Sequence, residues 1–194
     1  MLILNFSPFP ELKTDRLILR RLTIKDENEI FFLRSDDHVN KYVNRPKAGS
    51  IEDARKHIDT VNKGIDNNQS VLWGISLLNA ASIIGTICLW NISKENGTAE
   101  VGFELMPAFQ GKGIMGEALS EVMRYAFEIL KARKLVGWVH HENTRSVSLL
   151  TKFNFLRDMD EEQKADKMEL SNIVIYTLYA TKYFKNTDTE SANS

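Results

Sequence analysis

The chain of 194 residues is 43% apolar and 26% charged, which fits one globular domain with its own core. Its 25 Lys and Arg against 26 Asp and Glu leave no basic excess to neutralise a nucleic-acid backbone, and no apolar stretch has the length of a membrane span. Nucleic acid and membrane are therefore not expected partners; Cys88, alone in "SIIGTICLW", reads as a buried small hydrophobe without a disulfide, in keeping with a cytoplasmic location.

"MLILNFSPFP" lacks a basic flank and breaks at Pro8 and Pro10, so residues 1–11 read as an N-terminal extension and not a secretion signal. Arg16 to Leu22, "RLILRRL", alternates like a half-buried strand, and "TIKDENEIFFLRS" reads as a helix from Thr23. After Pro46 and Gly49, Ser50, Glu52 and Asp53 open a second helix that runs to about Gly64. Strands over Val71 to Leu78, Ser82 to Ile92 and Thr98 to Met106, joined by short turns, form an antiparallel meander. Pro107 ends it. The next helix places Met115, Ala118, Leu119, Val122, Met123, Ala126, Ile129 and Leu130 on one apolar face.

"KLVGWVH" then reads as a strand, "NTRSVSLLTKF" as a helix, and "FNFLRDM" and "IVIYTLYATKYF" as two strands separated by the acidic loop "RDMDEEQKADKMEL". Residues 185–194 read as a disordered tail. The order predicts a single α/β domain over residues 12–184, a mixed, largely antiparallel central sheet with helices on both faces.

"FQGKGIMGEAL", Phe109 to Leu119, sets two glycines and a lysine before a helix, where unpaired N–H groups and the positive end of the macrodipole invite an anion. Gly111, Gly113 and Gly116 match G-x-G-x-x-G, but the glycines do not directly follow a strand, and the next acid after "KLVGWVH" is Glu142, too distant for a dinucleotide-binding fold. Lys112 is followed by Gly113, which excludes a Walker loop; a purely structural turn stays open.

The run "AEVGFELMPAFQGKGIMGEAL" resembles the acetyl-coenzyme A signature of the GNAT acetyltransferases, with Gln110, Gly111, Lys112, Gly113, Ile114 and Met115 in the signature places. "ENTRSVSLLTKFNF" and "LKTDRLILRRLTIKD" extend the resemblance to the ribosomal-protein N-terminal acetyltransferase branch, over nearly the whole chain. Two departures stand out. Met115 occupies a place that is usually small, so its side chain must turn away, and Asn154 replaces the usual glycine after Lys152, a place where asparagine tolerates a left-handed backbone.

The resemblance implies an acetyl-CoA-dependent N-acetyltransferase, without a metal, acting on a primary amine, either a peptide or protein N-terminus or a small-molecule amine, by direct attack in a ternary complex, as a monomer or homodimer. It places the pantetheine arm and acetyl carbonyl at Leu105 and Met106, the pyrophosphate at Gln110 to Met115, further cofactor contacts at Asn143 and Lys152, a general base at Glu100 and a group near the thioester sulfur at Ser146. From the residues alone, Glu100 and Glu104 share one face of a strand, and Glu100 is also readable as a solvent-facing edge glutamate. Asn143 and Ser146 are equally readable as helix-start residues, and His140 and His141 rank below Glu100 as acids or bases. A non-catalytic acyl-CoA-binding module and a dinucleotide-dependent oxidoreductase are the alternatives.

Overall fold

A computed structural model describes residues 2–166 and 172–191. An eight-stranded sheet organises it, built from β1 (Leu12–Lys13), β2 (Leu17–Arg20), β3 (Val71–Leu77), β4 (Ile83–Ser93), β5 (Thr98–Leu105), β6 (Lys134–His140), β7 (Leu156–Arg157) and β8 (Ile173–Tyr179). Their order across the sheet is β1-β2-β3-β4-β5-β6-β8-β7, antiparallel at every pairing except the parallel β5–β6 step. A parallel step needs a crossover, and α4 (Ile114–Arg124) supplies it.

On one face, α1 (Glu27–Ser35) and α3 (Ile51–Asp66) cover a small core of Leu22, Ile30, Leu33, Ala54, Ile58 and Ile83, with the short α2 (Asp37–Asn40) between them. The predicted start of α3 is a reciprocal cap. Ser50 Oγ accepts the Asp53 N–H at 3.3 Å and the Asp53 carboxylate accepts the Ser50 N–H at 3.0 Å. On the other face α4 and α5 (Thr144–Lys152) pack over the larger core around fully buried Trp73, whose Nε1–H donates to Pro10 O at 2.6 Å. The segment before β1 belongs to this core: Leu2 and Phe6 are buried, and Ile3 N–H donates to Leu130 O at 2.8 Å.

Three expectations need correction. α4 does not continue as one regular helix to Leu130; residues Tyr125–Ile129 form a π turn, closed by Leu130 N–H on Tyr125 O at 3.0 Å. The wider turn shifts the helical phase, so Phe127 is buried and Ile129 is 49% exposed. The last strand ends at Tyr179, where its partner β6 begins at Lys134, and Ala180–Ser191 form α7, with Tyr183 stacked on Phe127 at 4.8 Å between centroids. That replaces both the strand read to Phe184 and the disordered tail up to Ser191. The acidic loop opens with α6 (Met159–Asp166), with residues 167–170 of that stretch outside the described residues.

Gly85 on β4 lies opposite Leu105 on β5, and a Cβ there would sit 2.4 Å from Glu104 O and 2.8 Å from Leu105 Cδ1. The obstacle is backbone, which cannot swing aside. Gly85→Ala is expected to destabilise the domain by about 1–3 kcal/mol, read as a drop in the thermal unfolding midpoint of roughly 2–4 °C per kcal/mol.

Candidate active site

β5 remains bonded to β4 along its length, and β6 remains paired with β8 from Lys134 to His140. Between them the parallel ladder covers only Thr98↔Lys134, Ala99↔Leu135 and Glu100↔Val136. Each strand follows its outer partner, so Val101–Leu105 and Gly137–His140 diverge and leave a slot through the sheet. Backbone groups alternate between the two edges of a strand. Because Met106 N–H is spent on Ile84 O at 2.9 Å, Leu105 and Phe103 present their groups to the slot. Of the two residues expected to hold an extended ligand, Leu105 faces it and Met106 faces β4. Leu105 O accepts the Gln110 side-chain amide at 2.8 Å.

The glycine turn lies at the mouth of this slot. Gly111 and Gly113 adopt φ of +75° and +74°, a left-handed backbone that bends the chain into α4. The first helical bond is Glu117 N–H to Gly113 O at 3.1 Å, so the N–H groups of Ile114, Met115 and Gly116 project from the helix start. Met115 turns its side chain onto the core, as its bulk requires. Lys112 lies over the Phe109 ring at 5.6 Å.

Two arginines absent from the sequence-based set join the turn. Arg16 donates to Glu117 Oε2 at 2.6 Å and to Lys112 O at 3.2 Å, and Arg145 donates to Gln110 Oε1. Burial alone would raise the Glu117 carboxyl, but donation from Thr14 and Arg16 outweighs it and holds the group below its ordinary value. Projecting amides, flanking cations and an open strand edge fit a ligand with a pyrophosphate at one end and amides along its arm.

Asn143 and Ser146 meet at the start of α5, where Asn143 Oδ1 accepts Ser146 N–H at 3.2 Å, the helix-cap geometry. Ser146 is half-buried in the first turn. Lys152 is exposed at the other end of α5, beside Phe153, which packs over Gly116. Asn154 takes φ of +63°, the left-handed turn that its residue type allows.

At the vertex of the slot, on the face covered by α1 and α3, lies Glu100. It is only 9% exposed, and burial pushes its carboxyl up to about 7, against a weak opposing bond from Asn91 Nδ2 at 3.4 Å. It lines a cavity of about 580 Å³ together with Asn91, Asn96, Lys134, Val136 and Trp138. Glu104 shares the face but is already engaged, by Arg45 Nη2 at 2.6 Å and the Thr86 hydroxyl at 3.2 Å. Nearby, burial pushes the Cys88 thiol up to about 12, which leaves it inert as a nucleophile. His140 accepts the Glu142 N–H on Nδ1 at 3.3 Å and stacks between His141 and Tyr42, which gives it a structural position at the end of β6.

Residues 16–156 match the acetyltransferase (GNAT) domain family. The "Uncharacterized N-acetyltransferase YoaA" of Bacillus subtilis is 33% identical over 150 residues, 77% of this chain and 85% of that protein. The fold superposes with a TM-score of 0.72 on the ribosomal-protein-S5-alanine acetyltransferase from Vibrio fischeri, at 17% identity over 90% of this chain and 98% of that one. It superposes at 0.70 on the microcin C7 self-immunity acetyltransferase MccE, solved with acetyl-CoA and AMP, at 20% identity over 86% and 93% of the two chains.

The position of Glu100 has a consequence for stability. With a folded value near 7 against an ordinary 4.5, the folded state holds its proton more tightly than the unfolded state. Its contribution is complete below pH 4.5 and is lost as pH rises through 7. Relative to Glu100→Gln, the wild-type protein should therefore lose up to about 3 kcal/mol across this window. Urea denaturation of both proteins at a series of pH values measures the difference, and parallel pH profiles would contradict it.

Proposed function

This chain belongs to the GNAT acetyltransferase family, and from that premise we propose that it transfers the acetyl group of acetyl-CoA to a primary amine, with the α-amine of a peptide or protein as acceptor. The observation that carries the reading is Glu100, a buried carboxyl titrating near neutrality in a cavity at the vertex of the slot whose mouth carries the projecting amides of the α4 start. The likeness in fold to an acetyltransferase of a ribosomal protein supports a polypeptide acceptor.

Acetyl-CoA supplies a thioester whose C–S bond breaks as the C–N bond to the amine forms. In this reading Gln110 to Met115, with Arg16 and Arg145 at their side, hold the pyrophosphate, and the slot edge at Leu105 aligns the pantetheine arm. Glu100, ionised above pH 7, takes the proton that the attacking amine must lose. The Ser146 hydroxyl, in the first turn of α5, donates toward the departing sulfur. Glu104 has its two oxygens on Arg45 and Thr86, so it does not compete as the base.

The preference for an α-amine follows from acidity. With reference values near 7.8 and 10.4, about one α-amine in seven but only about one lysine in 2,500 is neutral at pH 7. A base titrating near 7 suits the former. In peptides that carry both amines, mass spectrometry should find the acetyl group on the N-terminus; acetylation mainly on lysine would overturn the preference.

Glu100→Gln should leave acetyl-CoA affinity by calorimetry nearly unchanged and lower kcat by roughly 10² to 10⁴, with a smaller loss at high pH, where the amine arrives neutral. Wild-type kcat/KM should rise with pH through about 7, and the variant should lack that step. A variant with full activity at neutral pH would remove Glu100 from the chemistry, and binding of acetyl-CoA without turnover of any amine would make the protein a coenzyme A-binding module.

A further inference from the structure

On β4, Trp90 lies directly opposite Glu100 of β5 and shares its face of the sheet. Just beyond Trp90 the pairing of the two strands shifts register, and Asn91 takes φ of +46°. A bulge of this kind re-aims a side chain, so two consecutive residues of β4 serve one face. Asn91 Nδ2 donates to the Glu100 carboxylate, while the Trp90 indole leans diagonally along β5 onto Gly102. A Cβ on Gly102 would sit 3.6 Å from Trp90 Nε1, 3.9 Å from its Cδ1 and 3.1 Å from Cys88 Sγ. The nitrogen edge of the ring is therefore turned toward the one position between Glu100 and Glu104 on this face, and that position has no side chain. Trp90 is 48% exposed, and among the described residues its N–H has no protein partner.

The surroundings limit what can meet this N–H. Past Gly102 on the same face, Glu104 is held by Arg45, and from β6 Trp138 lines the cavity of Glu100. The open space lies over Gly102, where the β5–β6 ladder has ended and an incoming group reaches the slot. An indole N–H only donates, so its partner must be an acceptor. Glu100 and Gly102 stand two residues apart on one face, roughly 7 Å along the strand. In a polypeptide N-terminus the first carbonyl oxygen lies roughly 3 Å from the amine nitrogen. With a hydrogen bond of about 2.9 Å at each end, that single residue bridges the two positions. A lysine side chain or a polyamine carries only methylenes at this distance from its nitrogen.

We propose that Trp90 is a specificity-determining residue whose indole N–H donates to the first carbonyl oxygen of a polypeptide acceptor while Glu100 meets the α-amine. This rests on the reading of the protein as an N-terminal acetyltransferase. The site then recognises amine and adjacent carbonyl as a unit, which favours an α-amine in binding, apart from its acidity. Gly102 belongs to the same subsite, since a side chain there would press on Cys88 and fill the space that the carbonyl takes.

The test separates binding from turnover. The amidated tetrapeptide of four alanines, and its analogue with sulfur in place of the first carbonyl oxygen, are titrated calorimetrically into the full chain saturated with coenzyme A. A thioamide sulfur is the weaker acceptor, so the oxygen peptide should bind roughly 3- to 10-fold more tightly, the scale of one neutral hydrogen bond. Trp90→Phe keeps an aromatic ring and removes the donor, and it should bring the two affinities together. Unchanged acetyl-CoA affinity shows that the variant is folded. Equal affinity for the two peptides in the wild type, no binding of either, or a difference that survives Trp90→Phe would overturn the subsite. The transferase reading is judged apart from this, by acetylation of the oxygen peptide: selective binding without turnover would leave the subsite standing and end that reading.

Discussion

The site depends on a competition between hydrogen-bonded ladders. β5 is held by β4 and β6 by β8, both over long registers, while β5 and β6 share only three residue pairs. Strand twist separates two such pairs of strands wherever nothing holds them together. A continuous β5–β6 ladder would spend the backbone groups of Val101–Leu105 inside the sheet and close the slot. Because the ladder stops at Glu100↔Val136, a strand edge opens in the interior of a sheet, where side chains from both faces already surround it. The short parallel pairing also requires a crossover helix to begin just beyond β5, and this brings the start of α4, with its projecting amides, to the mouth of the same slot. One local failure of pairing thus sets the strand edge, the projecting amides of α4 and the buried carboxyl along one slot.

Electrostatics then separates two chemically identical carboxylates. Glu100 and Glu104 occupy equivalent positions in the pleat, four residues apart. Glu104 meets Arg45 and Thr86, which satisfy both of its oxygens; Glu100 meets a cavity and one long bond from Asn91. The first arrangement fixes a charge in place, and the second leaves a proton easily exchanged near neutral pH. The helices α1 to α3 do more than cover a face of the sheet, since the segment between α2 and α3 delivers the guanidinium that makes this distinction.

Periodicity found most of the fold because the strands and helices are amphipathic and the turns carry glycine, proline or capping residues. It missed features that depend on phase or on partners distant in sequence. The π turn over Tyr125–Ile129 exchanges Ile129 for Phe127 in the core, and no residue in "YAFEI" announces an inserted backbone step. In "YATKYF", Ala180 and Tyr183 lie three apart and both pack on the core, a helical spacing that was readable; the strand reading overran because β6 offers no partner beyond Tyr179. Of the candidate site, the glycine turn was legible as a local pattern, while Glu100, Asn143 and Ser146 were singled out through the family resemblance. Arg16, Arg145 and Arg45 were not, for each acts through a residue that only folding brings near. Period-two alternation put Glu100 and Glu104 on one face but had no means of telling them apart.

The bond from the Gln110 amide to Leu105 O bears on the thermodynamics of ligand capture. In the slot, this carbonyl is not an idle acceptor waiting for a partner. In the proposed reading a pantetheine amide competes with Gln110 for this acceptor, and Gln110 itself remains tied to Arg145. Exchange of one such bond for the other contributes little net free energy and serves to set the register of the arm. Affinity in that reading is concentrated at the phosphate end, where amides and cations gain an anion, and a truncated thioester lacking the nucleotide would keep the alignment and lose most of the grip.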